Sequence, residues 1–153
     1  MEIEVVTQQS QIAVAIKKTS VSMDQLKDLF DEVCTKLLEY LAQQGGQMAG
    51  APYCMYSGGN EDYSQFDIEF GIPVTEPVPE TGEIFMSRTC EGKAVSTTHK
   101  GAYKDIDSAY MALMDYVKEN SLELTGVYYD YYISNPEETP ESELLTQIFF
   151  PVK

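Results

Sequence analysis

The spacing of hydrophobic and polar positions predicts short strands interrupted by two amphipathic helices. Over residues 22–44, apolar side chains recur at steps of three and four, as on one face of a helix, and Gly45–Gly46 follows as a stop signal. The start of this helix is predicted at Ser22 or Asp24. A second stripe with the same spacing runs through residues 106–117. We interpret the apolar side of both stripes as core.

The segments outside the helices alternate with a period of two, which is typical of half-buried strands. In FDIEFGIPV (66–74) the apolar positions share one face and leave Glu69 on the other. Near the N-terminus, IEVV and IAVAI are rich in β-branched residues, and the intervening TQQSQ predicts that the two segments form a hairpin. If helices cover the apolar faces, the face with Glu69 turns to solvent or to whatever lies between the halves of the chain.

Similar blocks recur in the same order along the chain, which indicates an internal duplication. The paired blocks are residues 1–20 with 82–101, GAPYCMY (50–56) with GVYYDYY (126–132), and FDIEFGIPV (66–74) with LLTQIFFPV (144–152). The connector TEPVPETG (75–82) is too short to be a flexible linker between independent domains.

The sequence therefore predicts one α+β domain over residues 1–153, built as a duplicated ββαββ unit with half-repeats at about 1–76 and 82–153. The two halves are expected to form antiparallel sheets with two long helices, related by a pseudo-twofold axis. Their faces without helices are expected to line a central groove that binds a small organic molecule.

The charge of the chain narrows the choice of partners. A net charge of −15 and a pI of about 4.2 argue against direct nucleic-acid binding, which needs a basic face. The acidity is open to three explanations: a well-solvated surface, an electrostatic field that attracts cationic ligands, or mimicry of DNA, by which the protein would occupy the basic groove of a nucleic-acid enzyme. Composition does not distinguish among them. The charge favours solubility and is compatible with a monomer or a dimer.

The cysteine and hydropathy patterns predict a cytoplasmic protein without a membrane segment. The three cysteines are odd in number and form no CxxC, which suits a reducing compartment and argues against a zinc site. No nucleotide-binding or hydrolase motif is present, so no cofactor and no catalytic residue is predicted. His99 is interpreted as a surface or hairpin-edge residue rather than the partner of a catalytic cysteine.

Aromatic residues are concentrated in YYDYY (128–132), where tyrosines flank Asp130 on both sides. Period-two alternation places Tyr128, Asp130 and Tyr132 on one face and Tyr129 with Tyr131 on the other. Because a helix covers only one face, the other is expected to line the groove. Rings around a carboxylate suit a flat, lipophilic cation.

An ordered set of motifs over nearly the whole chain carries a family resemblance. The set comprises Gly101 with Tyr103, Asp130 with Tyr132, Asn135 with Pro136, and Pro151 with Val152, together with GAPYCMY and GIPV of the first half. It resembles GyrI-like domains, the effector-binding domains of AraC- and MerR-type multidrug regulators. The resemblance implies a duplicated ββαββ fold with a groove for lipophilic, often cationic molecules. Nothing precedes residue 1 of this sequence, which implies a free-standing member.

The residue patterns and the family resemblance together predict a set of ligand-contact residues. They are Glu69, Tyr53, Met55, Tyr103, Tyr128, Asp130, Tyr132, Gln147 and Phe149. Two positions differ from the family pattern, which usually has glutamate where this chain has Asp130 and Gln147.

We interpret the protein as a non-enzymatic sensor or sequestering protein for small molecules. One alternative is an acidic interaction protein that modulates DNA gyrase or another topoisomerase. The protein partner expected from the sequence is gyrase or a separate regulator. A second is a hydrolase of strained electrophiles, with Asp130 or Glu69 as general base. The hydrolase branch of the family usually carries a tryptophan, and this chain has none.

Overall fold

The protein forms eight strands and two helices within the residues that this computed structural model describes, which are 2–22, 24–57, 65–102, 105–134 and 138–153. In chain order the elements are β1 (Glu4–Gln8), β2 (Ile12–Ser22), α1 (Leu26–Gln44), β3 (Tyr53–Ser57), β4 (Gln65–Pro73), β5 (Ile84–Arg88), β6 (Gly92–Lys100), α2 (Asp107–Glu119), β7 (Tyr128–Tyr132) and β8 (Leu145–Pro151). A 3-10 turn at Glu141–Glu143 precedes β8. Neither described helix is long and apolar enough to cross a membrane.

The elements belong to two compact units, each an antiparallel four-stranded sheet with one helix. The central unit, Ser10–Thr89, has the strand order β3-β4-β2-β5 and contains α1. The terminal unit, Met1–Gln9 with Cys90–Lys153, has the order β1-β6-β8-β7 and contains α2. The predicted α+β class with antiparallel strands is confirmed. The two units share one topology, as a duplication would produce, and the duplication itself stays a prediction.

The predicted hairpin between the first two strands is wrong. β1 pairs with β6, and the neighbours of β2 are β4 and β5. Two hydrogen bonds join the segment between β1 and β2 to Thr89. The Gln11 N–H donates to Thr89 Oγ1 at 2.8 Å, and the Thr89 N–H donates to the Gln11 carbonyl at 2.9 Å. Local β propensity identifies both strands, but long-range packing chooses their partners. The compact units therefore differ from the predicted half-repeats in the placement of β1 and β5.

Helix α1 follows the predicted apolar stripe. Val33, Leu37 and Leu41 are buried, and the helix ends at Gly45, whose φ of 67° is the left-handed conformation that glycine adopts without strain. The start lies later than predicted, because Ser22 still belongs to β2 and Gln25 precedes the first helical residue.

The sheet of the central unit has one face towards α1. On β4, Phe70 contacts Phe30 of α1, with 6.4 Å between the ring centroids. Ile68 and Ile72 are fully buried on the same side, as the alternation predicts. Glu69 and Gly71 therefore lie on the opposite face, which we call the α1-distal face.

The sheet of the terminal unit packs its core against α2. Ala109, Leu113 and Val117 of the helix form one cluster with apolar side chains of the neighbouring strands, namely Val95, Ile148, Phe150 and Val152. The intervening positions of β8, among them Gln147 and Phe149, lie on the α2-distal face.

Candidate functional site

The α1-distal face of the central unit brings three predicted contact residues together. In the β3–β4 pair, Tyr53 is opposite Gly71 and Met55 is opposite Glu69. All four residues therefore share one face, since directly paired residues of antiparallel strands point to the same side. Tyr53 is fully buried and Met55 is half-buried.

The carboxylate of Glu69 is the chemical centre of this face. The residue is 6% exposed, and its Oε2 accepts hydrogen bonds from the Tyr53 hydroxyl at 2.8 Å and from Ser87 Oγ at 2.9 Å. Within the described part of the chain, Oε1 has no hydrogen-bond partner. Two neutral hydroxyls thus orient one oxygen and leave the other for a different partner.

No described cation pairs with Glu69. The ion pairs of the described residues join Lys18 and Lys36 to Glu83, and Lys153 to Glu123. Lys17 is directly opposite Glu69 in the β2–β4 register, yet it is exposed and forms no ion pair with that carboxylate. Among the described residues, the donors to the Glu69 carboxylate are therefore neutral.

The α2-distal face of the terminal unit carries an aromatic cluster. Tyr129 stacks with Tyr131 at 6.1 Å between ring centroids, and Tyr131 meets Phe149 edge-on at 5.2 Å. The Cys90 N–H donates to the Tyr131 hydroxyl at 3.0 Å, which fixes the ring. Gln147 is opposite Tyr131 in the β7–β8 pair and shares this face.

Asp130 lies on the other side of β7, towards α2. It accepts a hydrogen bond from the Tyr110 hydroxyl of that helix and is 3% exposed. Tyr128 shares its side and contacts Phe150 with 4.8 Å between ring centroids. Asp130 therefore lies on the side of its sheet that faces the helix, whereas Glu69 lies on the side away from α1. The register of Asp130 opposite Ile148, which packs against α2, decides the side.

The predicted contacts among the described residues lie on three faces of the two units. Glu69, Tyr53 and Met55 lie on the α1-distal face, Gln147 and Phe149 on the α2-distal face, and Tyr128, Asp130 and Tyr132 on the side of α2. Tyr103 lies outside the described residues, as do Asn135 and Pro136 of the family motif. The ligand-binding role of each residue stays a prediction.

Sequence reasoning missed Ser87 as a partner of Glu69. Its strand β5 pairs with β2, where Ser87 is opposite Ala13. No local signal marks this position, because the contact depends on which strand β5 pairs with.

His99 is buried, not at the surface as predicted. It is 6% exposed, and its Nε2 lies 2.9 Å from the Ala102 carbonyl oxygen. Because a carbonyl oxygen only accepts, Nε2 carries the proton in this bond. The side chain holds the turn after β6.

Two of the cysteine thiols have raised pKa values. Burial raises the pKa of Cys90 to about 11, and burial together with the nearby charge of Asp31 raises that of Cys34 to about 11. All three cysteines are free thiols, and Cys54 is buried. Among the described residues no group of three His, Cys, Asp or Glu side chains could hold a metal ion.

Solved structures with this fold include a protein in complex with DNA. EcmrR in its complex with DNA superposes with a TM-score of 0.87 at 21% identity, covering 99% of this chain and 57% of the EcmrR chain. This chain thus spans little more than half the length of EcmrR. The isolated EcmrR C-terminal domain gives a TM-score of 0.80 at 21% identity, with 99% and 97% of the two chains covered.

Two further structures with this fold have different descriptions. SAV2435 bound to tetraphenylphosphonium gives a TM-score of 0.68 at 14% identity, covering 100% of this chain and 94% of SAV2435. A hydrolase from Listeria innocua gives a TM-score of 0.70 at 12% identity, with 99% and 92% covered. At these identities the likeness establishes the fold alone. No curated protein matches this chain in sequence.

The family itself is established by a match over the whole sequence. The model of the GyrI-like small molecule binding domain matches residues 1–153. That match agrees with the motifs of the sequence and with the topology of the two units. This chain belongs to the GyrI-like small molecule binding domain family.

Proposed function

We propose that this chain binds small lipophilic cations without transforming them and serves as a sensor or a sequestering protein for them. The carboxylate of Glu69 is the observation that carries the proposal. It is buried, neutral hydroxyls of Tyr53 and Ser87 hold one of its oxygens, and no described cation pairs with it. Burial of a charge without a counter-charge costs free energy, and a cationic ligand supplies the missing charge.

The side chains around Glu69 suit an aromatic cation. Met55 is half-buried, flexible and polarizable, so that it adapts to ligands of different shape, and the fully buried Tyr53 orients the carboxylate through its hydroxyl. An apolar surface with one carboxylate binds lipophilic cations better than neutral or anionic molecules of the same size, because only the cation gains the interaction with Glu69.

Two comparisons support the choice of ligand class. The family is one of small-molecule-binding domains, and SAV2435, which shares the fold, was solved with tetraphenylphosphonium. This ligand is a lipophilic cation with aromatic rings, the chemistry that a buried carboxylate beside tyrosine would select.

Titration calorimetry with tetraphenylphosphonium and with tetraphenylborate tests the proposal. The two ions have nearly the same shape and opposite charge, so a difference between them reports the charge preference directly. We expect heat from the phosphonium and none from the borate. The Glu69→Gln variant should bind the phosphonium at least about tenfold more weakly, since hydrogen bonds and pairing with a charged group contribute roughly 1.5–3 kcal/mol.

Asp67→Asn is the matched control. Asp67 lies on the same strand and the same face, two residues from Glu69, and its carboxylate accepts a hydrogen bond from the Ser20 N–H at 3.1 Å. The Asp67→Asn variant removes the same unit of charge as Glu69→Gln. If its affinity for the phosphonium stays within about twofold of the parent, the loss of affinity in Glu69→Gln is due to Glu69 itself rather than to the change in net charge. Equal losses in both variants, or equal binding of phosphonium and borate, would contradict the proposal.

Hydrolysis is a second candidate, favoured by the bond between the Tyr53 hydroxyl and Glu69. An acid and a base in contact on one face could protonate a leaving group and activate water. The test is turnover of a strained electrophile by the purified chain, followed by mass spectrometry. Turnover that disappears in both Tyr53→Phe and Glu69→Gln would establish hydrolysis, and unchanged substrate with the parent chain would exclude it for the compounds tried.

A further inference from the structure

Strand β1 is the outer strand of the terminal unit's sheet, and its backbone direction follows from the register. The Val152 N–H donates to the Lys93 carbonyl, so Lys93 turns its backbone groups towards β8, and the next residue, Ala94, turns them towards β1. Ala94 is opposite Val6. The N–H and C=O groups of Val6 therefore point to β6, and those of Val5 and Thr7 point outwards.

These outward groups have no protein partner among the described residues. Besides the β1–β6 ladder, no backbone hydrogen bond of Val5 or Thr7 is formed in the described part of the chain. Both residues are exposed, and 42% of the Val5 surface is accessible. An exposed strand edge with free donors and acceptors is a template for another strand.

The outer strand of the central unit is closed by contrast. On β5 the Met86 N–H donates to Glu80 Oε2 at 2.9 Å, and Ile84 exchanges two backbone hydrogen bonds with Thr81 at 2.8 and 3.1 Å. Acidic side chains and turns that cover an edge are the usual means of preventing edge-to-edge pairing. Among the described residues β5 has this protection and β1 lacks it, although the two strands occupy equivalent places in their units.

We propose that β1 is an interface at which two copies of this chain associate, with β1 of one copy antiparallel to β1 of the other about a twofold axis at Val6. The inference is independent of the ligand. In this register Val5 and Thr7 of each copy exchange backbone hydrogen bonds, Val6 is opposite itself, and Glu4 is opposite Gln8 of the other copy.

Charge disfavours one of the other registers that the backbone permits. Centring the axis on Glu4 would place two carboxylates directly opposite each other, which is unfavourable. Centring it on Val6 pairs each carboxylate with an amide and places two β-branched side chains at the centre. Because each copy carries a net charge of −15, association should tighten as salt screens the repulsion between the copies.

Sedimentation of the full chain from micromolar to millimolar concentration tests the proposal. We expect a monomer–dimer equilibrium that shifts towards the dimer with added salt. Thr7→Pro removes the outward N–H of Thr7 and leaves the ladder to β6, because proline is tolerated on edge strands. It removes half of the hydrogen bonds across the axis, so the dimer should dissociate roughly tenfold or more readily. Thr7→Ala keeps the N–H and is the matched control.

Disulfide formation tests the register. It also provides a test of the dimer that does not depend on whether the Thr7→Pro variant folds. Val6 and its copy would form a pair without mutual hydrogen bonds, in which the Cα atoms are about 4.5 Å apart, within reach of a disulfide. Oxidised Val6→Cys should therefore give covalent dimers, whereas Gln8→Cys and the parent chain should not. A monomer at every concentration and salt, or equal cross-linking of Val6→Cys and Gln8→Cys, would overturn the proposal.

Discussion

Tyr53 lies over Gly71, the residue directly opposite it in the β3–β4 pair. A Cβ added to Gly71 would lie 2.3 Å from Tyr53 Cζ and 2.5 Å from its hydroxyl oxygen, so the ring occupies the space that any other residue would need. From this position the hydroxyl reaches Glu69 at 2.8 Å. The missing side chain of Gly71 thus sets the geometry of the α1-distal face.

Gly71→Ala should displace the Tyr53 ring and destabilise the protein. In an open strand this substitution stabilises, because alanine loses less backbone entropy on folding, but here the clash decides the sign. We expect a loss of about 1–3 kcal/mol in the free energy of unfolding, measured by urea denaturation. Affinity for tetraphenylphosphonium should fall as well, since Tyr53 no longer orients the carboxylate.

Gly50→Ala is the control for this substitution. A Cβ at Gly50 has its nearest neighbours at 3.5 Å, an ordinary contact distance. Its free energy of unfolding should stay within about 0.5 kcal/mol of the parent. A Gly71→Ala variant as stable as Gly50→Ala would show that the Tyr53 ring moves without cost.

Asp130→Asn should affect stability and leave cation affinity nearly unchanged. The carboxylate accepts from Tyr110 on the side of α2, so its neutral replacement weakens a charge-assisted bond by about 1 kcal/mol. Titration calorimetry with tetraphenylphosphonium compares this variant with Glu69→Gln. We expect the affinity of Asp130→Asn to stay within about twofold of the parent. A loss equal to that of Glu69→Gln would place Asp130 in the ligand site.

Glu83 should make a small, acid-sensitive contribution to stability. Hydrogen bonds from Lys18 and Lys36 lower its pKa from 4.5 to about 2. A carboxylate with a lowered pKa in the folded state stabilises the fold above its unfolded pKa. The contribution is therefore complete above about pH 4.5 and is lost as the pH falls towards 2.

Urea denaturation of the parent and Glu83→Gln at neutral pH and near pH 3 measures this contribution. The side chain is 42% exposed, so solvent screening limits the difference at neutral pH to less than about 1 kcal/mol. The difference should shrink at the lower pH and in concentrated salt. A stability difference between the parent and Glu83→Gln that grows on acidification would contradict the ion pairs of Glu83 with Lys18 and Lys36.

Cys34 and Cys90 should react slowly with thiol reagents in the native protein. A pKa near 11 leaves roughly a hundredfold less thiolate than a pKa of 9 at the same pH, and the thiolate is the reactive form. Titration with a chromogenic disulfide at mildly alkaline pH should show slow modification when folded and rapid modification of all three cysteines in urea. Fast reaction of a native thiol would indicate local opening of its unit.

The sequence by itself determined the local elements and the family. The three- and four-residue spacing of α1 and the glycine at its end specify a helix wherever the chain packs, and the alternation of FDIEFGIPV separates Glu69 from Ile68 and Phe70 in any sheet. The ordered motifs led to the family that the whole-chain match established. These features are visible in sequence because they depend on neighbouring residues.

Only the tertiary structure decided which strands pair and which face of β7 is covered. Both β1 and β5 have strand propensity, yet nothing local shows that β1 joins β6 and that β5 brings Ser87 to Glu69. In YYDYY both faces of the strand carry tyrosine, so the hydrophobic pattern does not show which face is buried against the helix. Pairing with β8 supplies the missing information, because Ile148 is committed to the α2 core and takes Asp130 to the same side.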